Sequence, residues 1–75
     1  MISQNKLLKV AEYATQNGFC FEMYRSKSYF TIKGITMIYH HTSNDVVVSI
    51  TERDIAKLEI ADAIVTKLNT AKLSM

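Results

Sequence analysis

Cys20 is the single cysteine in a chain of 75 residues. No intrachain disulfide can form, and a lone thiol fits a reducing compartment. With only two histidines beside it, a zinc site would need carboxylates to complete it. Glycine is nearly as scarce: Gly18 and Gly34 are the only two. Each falls where a turn is expected, so no glycine-rich phosphate cradle can be built from them. Long apolar runs are missing as well. The opening MISQNKLLKV lacks the continuous apolar stretch of a signal peptide, and no run approaches the roughly 20 residues that span a bilayer. A dominant charge is missing too. Nine basic residues against seven acidic ones leave a formal charge of +2, whereas a dedicated DNA binder carries a dense basic stripe. These absences predict a soluble, cytoplasmic protein without metal or cofactor, and they count against duplex DNA as the main ligand.

What remains is the composition of a folded globule. Hydrophobic residues make up 48% and charged residues 21%, which argues against disorder. The length allows one small domain over residues 1–75. A chain this short is marginal alone, and small domains lean on a staple or a partner.

The strongest pattern is a period-two alternation from Phe19 to Ile50, held between two helix-period segments. A first helix is predicted from about Gln4 to Asn17. Ser3 is placed to cap it, Ile2 and Leu7 sit at hydrophobic-staple spacing, and Leu7, Val10, Ala11 and Ala14 fall on one face. Gly18 ends it as C′, with Phe19 folding back toward Ala14 in a Schellman-type stop. Strand one alternates Phe19, Phe21 and Met23 against Cys20, Glu22 and Tyr24. Arg25-Ser26-Lys27 is a polar turn, Ser28 to Ile32 is strand two, and Lys33-Gly34 is a tight hairpin turn into Ile35 to His40. That two-residue turn pairs Ile32 with Ile35, Phe30 with Met37 and Ser28 with Tyr39. An apolar set drawn from two separate alternations therefore lands on one face, and a one-residue slip would scatter it. His41 to Asp45 reads as a turn. Val46, Val48 and Ile50 of strand four point inward if that loop holds an even number of residues. A second helix is expected to begin at once, with Thr51 and Asp54 as a capping box, and to bury Leu58, Ile60, Ala61, Ile64, Val65 and Leu68. Its length of about 30 Å exceeds the strands' reach of about 20 Å, so its last turns should overhang the sheet. The expected architecture is α+β, in the order α-β-β-β-β-α, with a four-stranded antiparallel meander and both helices on one face.

Most chemistry-bearing residues have ordinary structural readings. His40 and His41 are adjacent on a strand, so their rings point to opposite faces and cannot share an ion. Cys20 lies between Phe19 and Phe21 with no glycine elbow, and reads as a half-buried structural thiol. Ser26 and Ser28 beside Arg25 and Lys27 read as solvated turn residues. Glu52, Asp54, Glu59 and Asp62 serve the cap, the dipole and a solvated helix face.

One surface stands apart. With both helices on the inner face, the outer face collects Tyr24, Tyr29, Thr31, Thr36, Ile38, His40, Val47 and Ser49, edged by Arg25, Lys27 and Lys33. Polar-tipped aromatics grouped with aliphatics are what binding surfaces use. The expected function is a non-enzymatic protein-interaction module, an adaptor or stoichiometric inhibitor of a larger machine of the kind phages encode. Tyr24, Tyr29, Ile38 and His40 would anchor the partner, and Arg25 and Lys27 would form the rim. Nucleic-acid binding is an alternative, with the tyrosines stacking on single-stranded bases and Arg25, Lys27 and Lys33 holding phosphates. A homodimer through the heptad-like Leu58, Ala61, Val65 and Leu68 of the second helix is another. The element order, the Asn17-Gly18-Phe19 break and the turn Arg25-Ser26-Lys27-Ser28 also resemble, in outline, the double-stranded-RNA-binding fold and the small mRNA-cleaving toxins that share it. Lys27 and Ser28 stand where the Gly-Ser-His motif of those toxins has Ser and His, and the chain is not assigned to that family.

Overall fold

The first helix begins where a hydroxyl is ready to receive it. In the computed structural model, which describes residues 2–73, Ser3 accepts the Lys6 N–H at the N-terminus of α1 (Gln4–Gln16). Ile2 before the cap and Leu7 inside it are both buried, as a hydrophobic staple requires. At the other end, Phe19 N–H bonds Ala14 O and Gly18 N–H bonds Thr15 O. Gly18 has a φ of +91°, so the stop is the Schellman motif that the sequence predicts. Phe19 belongs to this stop and not to the first strand.

The sheet is a meander of β1 (Cys20–Met23), β2 (Lys27–Ile32), β3 (Ile35–His40) and β4 (Asp45–Ile50), all antiparallel in the order β1-β2-β3-β4. Its register is the expected one: Ile32 opposes Ile35, Phe30 opposes Met37 and Ser28 opposes Tyr39. The inner face carries Phe21, Phe30, Met37 and Val48 in one row and Met23, Ser28, Tyr39 and Val46 in the next. Phe30, Ile35, Met37 and Tyr39 are buried there beneath Leu7, Val10, Ala11 and Ala14 of α1. From α2 (Ile55–Leu73), Ala61, Ile64, Leu68 and Ala71 join the same core. The chain thus has α-β-β-β-β-α order with both helices on one face. Among the described residues, no helix is long and apolar enough to cross a membrane.

Three expectations about the second half of the chain need correction. The helix does not begin at Thr51. Thr51 and Glu52 donate their N–H groups to Gly34 O, and Asp54 is the cap, its Oδ1 accepting from Ala56 and Lys57. The backbone prefers the hairpin turn as a partner, which delays the helix by one turn. Nor do the last turns of α2 overhang. Lys72 Nζ donates to Asn44 O at 2.8 Å and ties the helix end to the β3–β4 turn. Val46, Val48 and Ile50 share the inner face as predicted, but Val48 is 39% and Ile50 50% exposed. The helices leave that edge of the inner face uncovered.

Gly34 holds the two halves together. Its φ is +86°, and a Cβ added there would meet the Glu52 Cβ at 2.7 Å and Glu52 backbone at 3.3 Å. Gly34→Ala therefore adds both backbone strain and a collision with the β4–α2 connection. We expect a loss of about 2 kcal/mol or more, read as a lower midpoint in urea unfolding. The Glu52 carboxylate accepts the Arg53 and Asp54 N–H groups and pairs with Lys57 Nζ at 3.3 Å. These bonds, backbone first, hold its carboxyl below the usual carboxylate range. A lowered folded pKa contributes stability above the unfolded value and loses it as pH falls through the folded one. Glu52→Gln should therefore lower stability at neutral pH, and its deficit relative to the parent chain should close on acidification, as thermal melts across the acid range would record.

Candidate functional site

Strand parity decides what the outer face displays. Glu22, Tyr29, Ile38 and Val47 form one row across all the strands, Cys20, Thr31, Thr36 and Ser49 a second, and Lys27, His40 and Asp45 a third. Tyr24, just past β1, is 52% exposed. Its ring meets Tyr29 edge-on with centroids 5.5 Å apart, a favourable aromatic geometry. Lys27 Nζ lies 5.6 Å from the Tyr29 centroid, within cation–π range. The Tyr24 hydroxyl donates to the Glu22 carboxylate. That hydrogen bond, and then the carboxylate's charge, push the phenol's pKa above its ordinary value. Tyr24 therefore keeps its proton further into the alkaline range than an ordinary phenol. Glu22, Tyr24, Lys27, Tyr29 and Thr31 line a shallow recess, and Ile38 and Val47 extend it as an apolar floor toward β4.

Of the residues singled out from the sequence, Tyr24, Lys27, Tyr29, Ile38 and His40 come together on this face. Arg25 does not. It lines a separate recess with Ile2, Gln4, Leu7, Met23, Tyr39 and His41, on the side of the sheet where α1 begins. Tyr24 borders both recesses. Glu22 was missed, because a carboxylate two residues from a tyrosine on a strand looks like ordinary surface. Strand alternation already puts Glu22 and Tyr24 on one face, and that was the available signal.

The cations are poorly arranged for a phosphate track. Lys27 and Lys33 stand at opposite ends of β2, roughly 20 Å apart at strand rise, and Arg25 turns to the other recess. Glu22 and Asp45 share the outer face with Lys27. A continuous basic stripe is therefore missing from this face, and with it the electrostatic footprint of a nucleic-acid binder.

Cys20 and Ser28 both depart from their sequence readings. Cys20 is exposed on the outer face instead of half-buried, because the edge strand β1 has no neighbour beyond it. Ser28 is fully buried instead of solvated. Its Oγ lies 2.7 Å from His41 Nε2, and His41 Nδ1 lies 3.3 Å from Arg25 O. A carbonyl can only accept, so Nδ1 carries a proton; in the neutral tautomer that this leaves, Nε2 accepts the Ser28 hydroxyl. A nucleophile beside an oriented base has this arrangement. With no exposed surface on Ser28, however, a substrate has no approach to Oγ. The pair acts as a latch between β2 and the β3–β4 turn. The signal for it was the Ser28–Tyr39 pairing, which already placed Ser28 on the inner face. His40 sits in the outer row, so the two imidazoles diverge.

A second latch closes the same end. The buried Tyr39 hydroxyl donates to Asn44 Oδ1 at 2.7 Å and accepts the Ile2 N–H at 3.1 Å. Asn44 takes a φ of +63° to make this bond, a conformation asparagine tolerates.

No family model matches the chain, and neither a similar curated protein nor a similar solved structure was found.

Ser28→Ala should cost about 1–2 kcal/mol, since it leaves a half-buried imidazole nitrogen without its partner. In a double-mutant cycle by urea unfolding, His41→Ala should cost less on the Ser28→Ala background than alone. Ser28 lies on the inner row, so the tyrosine cluster on the outer face should not change.

Proposed function

We propose that this chain is a small, non-enzymatic protein-interaction module, an adaptor or stoichiometric inhibitor that binds a larger protein through the outer face of its sheet. The reading fits a cytoplasmic setting, given the lone thiol. The observation that carries it is the uncovered row Tyr29–Ile38–Val47 with the Tyr24–Tyr29 edge pair at its end. Both helices lie on the opposite side, so nothing in the fold requires large side chains here. Tyrosines offer broad apolar contact with a polar tip and few rotamers to freeze, and they are enriched where binding energy concentrates. Ile38 and Val47 supply a floor that gains by losing water. Lys27, His40 and Glu22 supply a polar rim.

The test uses the full chain as bait in its native host. A partner captured by the parent chain should be lost with Tyr29→Ala and with Ile38→Asp, while Lys9→Ala on α1 retains it. The variant melting temperatures should stay close to the parent value, because the altered side chains lie outside the core. Capture that survives both outer-face substitutions rejects the reading. Salt-sensitive binding of a fluorescent single-stranded RNA, lost with Tyr29→Ala, would replace it with the nucleic-acid alternative.

A further inference from the structure

The two edges of the sheet are built differently. β1 is short, carries Glu22, and lies beside α1. Short length and charge are the usual ways of blunting an edge. β4 is less protected, its one charge, Asp45, standing at its first position. It runs six residues, Asp45–Ile50, in unbroken register with β3. After Asp45 it reads Val46-Val47-Val48-Ser49-Ile50, with no charge and no proline.

Its backbone is open. Thr51 N–H bonds Gly34 O. Antiparallel alternation then turns the N–H and C=O groups of Thr51, Ser49, Val47 and Asp45 toward β3, and those of Val46, Val48 and Ile50 outward. Its side chains are open as well. Val47, Val48, Ile50 and, where α2 begins, Ile55 are 51%, 39%, 50% and 71% exposed. They outnumber the large hydrophobics exposed elsewhere among the described residues, Leu8, Met23 and Tyr24. On the inner face, Val48 and Ile50 form a groove with Leu58, Ala61, Asp62 and Val65 of α2, apolar but for the one carboxylate.

We infer that β4 pairs antiparallel with β4 of a second copy, across a two-fold axis at Val48, and joins two sheets into one. The self-complementarity of the strand singles out a second copy as the occupant. A two-fold perpendicular to the sheet keeps inner face beside inner face, so only residues of equal parity can oppose each other. With Val48 on the axis, Val48 meets Val48, Val46 meets Ile50, Val47 meets Ser49 and Asp45 meets Thr51. Along the paired strands every inner-row contact is apolar, no like charges oppose each other, and the outward backbone groups of residues 46, 48 and 50 meet in hydrogen-bonding positions. An axis at Val47 would also let outward backbone groups meet, Val46 against Val48, but it sets Ile50 against Asn44 and so leaves an apolar residue of the inner row without an apolar partner. Val47, Val48 and Ile50 bring exposed apolar surface to the seam, and the open strand backbones and the α2 groove walls add to it; a stable interface needs about 1,200 Å² in total.

Apart from Val47 and Ser49, which meet at the seam, the outer face stays free in this dimer. The tyrosine clusters of the two copies lie on the same side of the joined sheet, with the β2 strands five strand spacings, about 24 Å, apart.

Sedimentation over a concentration series should show a reversible dimer. Val48→Lys sets two ammonium groups face to face on the axis and should leave a monomer whose circular dichroism matches the parent's. A second variant keeps the test independent of that substitution. In a Cys20→Ser background, Val48→Cys should form an interchain disulfide under diamide, which takes up the two protons and two electrons. The strand pairing puts the two Cα atoms about 5.5 Å apart, within disulfide reach. Leu8→Cys in the same background should not cross-link. Tyr29→Ala and Ile38→Asp should dimerise normally, which separates this inference from the outer-face reading. A chain that stays monomeric at millimolar concentration, or a dimer that neither Val48→Lys dissociates nor Val48→Cys captures, overturns it.

Discussion

The register of the β2–β3 hairpin is the constraint on which both surfaces depend. A two-residue turn at Lys33-Gly34 makes Phe30 oppose Met37 and Tyr29 oppose Ile38. Shifting that pairing by one residue would trade the core set for the exposed set. The turn itself is fixed from outside the hairpin. Gly34 O accepts from Thr51 and Glu52 backbone, and the close approach of Glu52 leaves no room for a side chain. The same contact that sets the register also sets where β4 ends and α2 begins, so strand parity and helix placement are coupled through one glycine.

How far the sequence could be read follows from how local each cause is. The Ser3 cap, the Ile2–Leu7 staple and the Gly18 stop each involve residues within a few positions of one another, and each has the predicted form. The hairpin register was legible because two alternations had to agree. The start of α2 was not, because Thr51 satisfies the local capping pattern yet is claimed by Gly34, 17 positions away. Ser28 escaped for the same reason: its partner His41 is 13 positions distant, and polarity alone makes a serine near a turn look solvated. At the candidate site, alternation placed Tyr24, Tyr29, Ile38 and His40 together. It could not place Arg25, whose turn leaves the strand period and carries the side chain to the other recess.

The bare inner edge at β4 has a packing cause. Ala11 and Ala14 on α1 and Ala61 and Ala71 on α2 are all buried. Short side chains let helix axes approach, since interaxial distance depends on what stands between them. Helices drawn together cover less of the sheet's width. Apolar residues also occur around much of α2, so Leu58, Ile60 and Val65 remain only partly buried against the core. Small buried residues on both helices would then account for the unfilled groove beside β4.

The two uncovered surfaces differ in what water does to them. On the outer face, tyrosine hydroxyls, Thr31, Thr36 and His40 keep polar atoms available to solvent, and the backbone beneath is paired on both sides. Such a face can remain wet until a partner arrives. Along β4, aliphatic side chains flank an open row of N–H and C=O groups, which is a template for strand pairing. Leaving it open exposes the chain to disordered association, and closing it with an identical strand satisfies the backbone without needing any other protein. If the β4 seam closes between copies as inferred, the tyrosine faces would lie on one side of a wider sheet, where a partner of the proposed kind would meet both. A partner that engages both faces at once gains effective concentration from their spacing. Breaking the seam should then weaken capture even though every outer-face residue is intact.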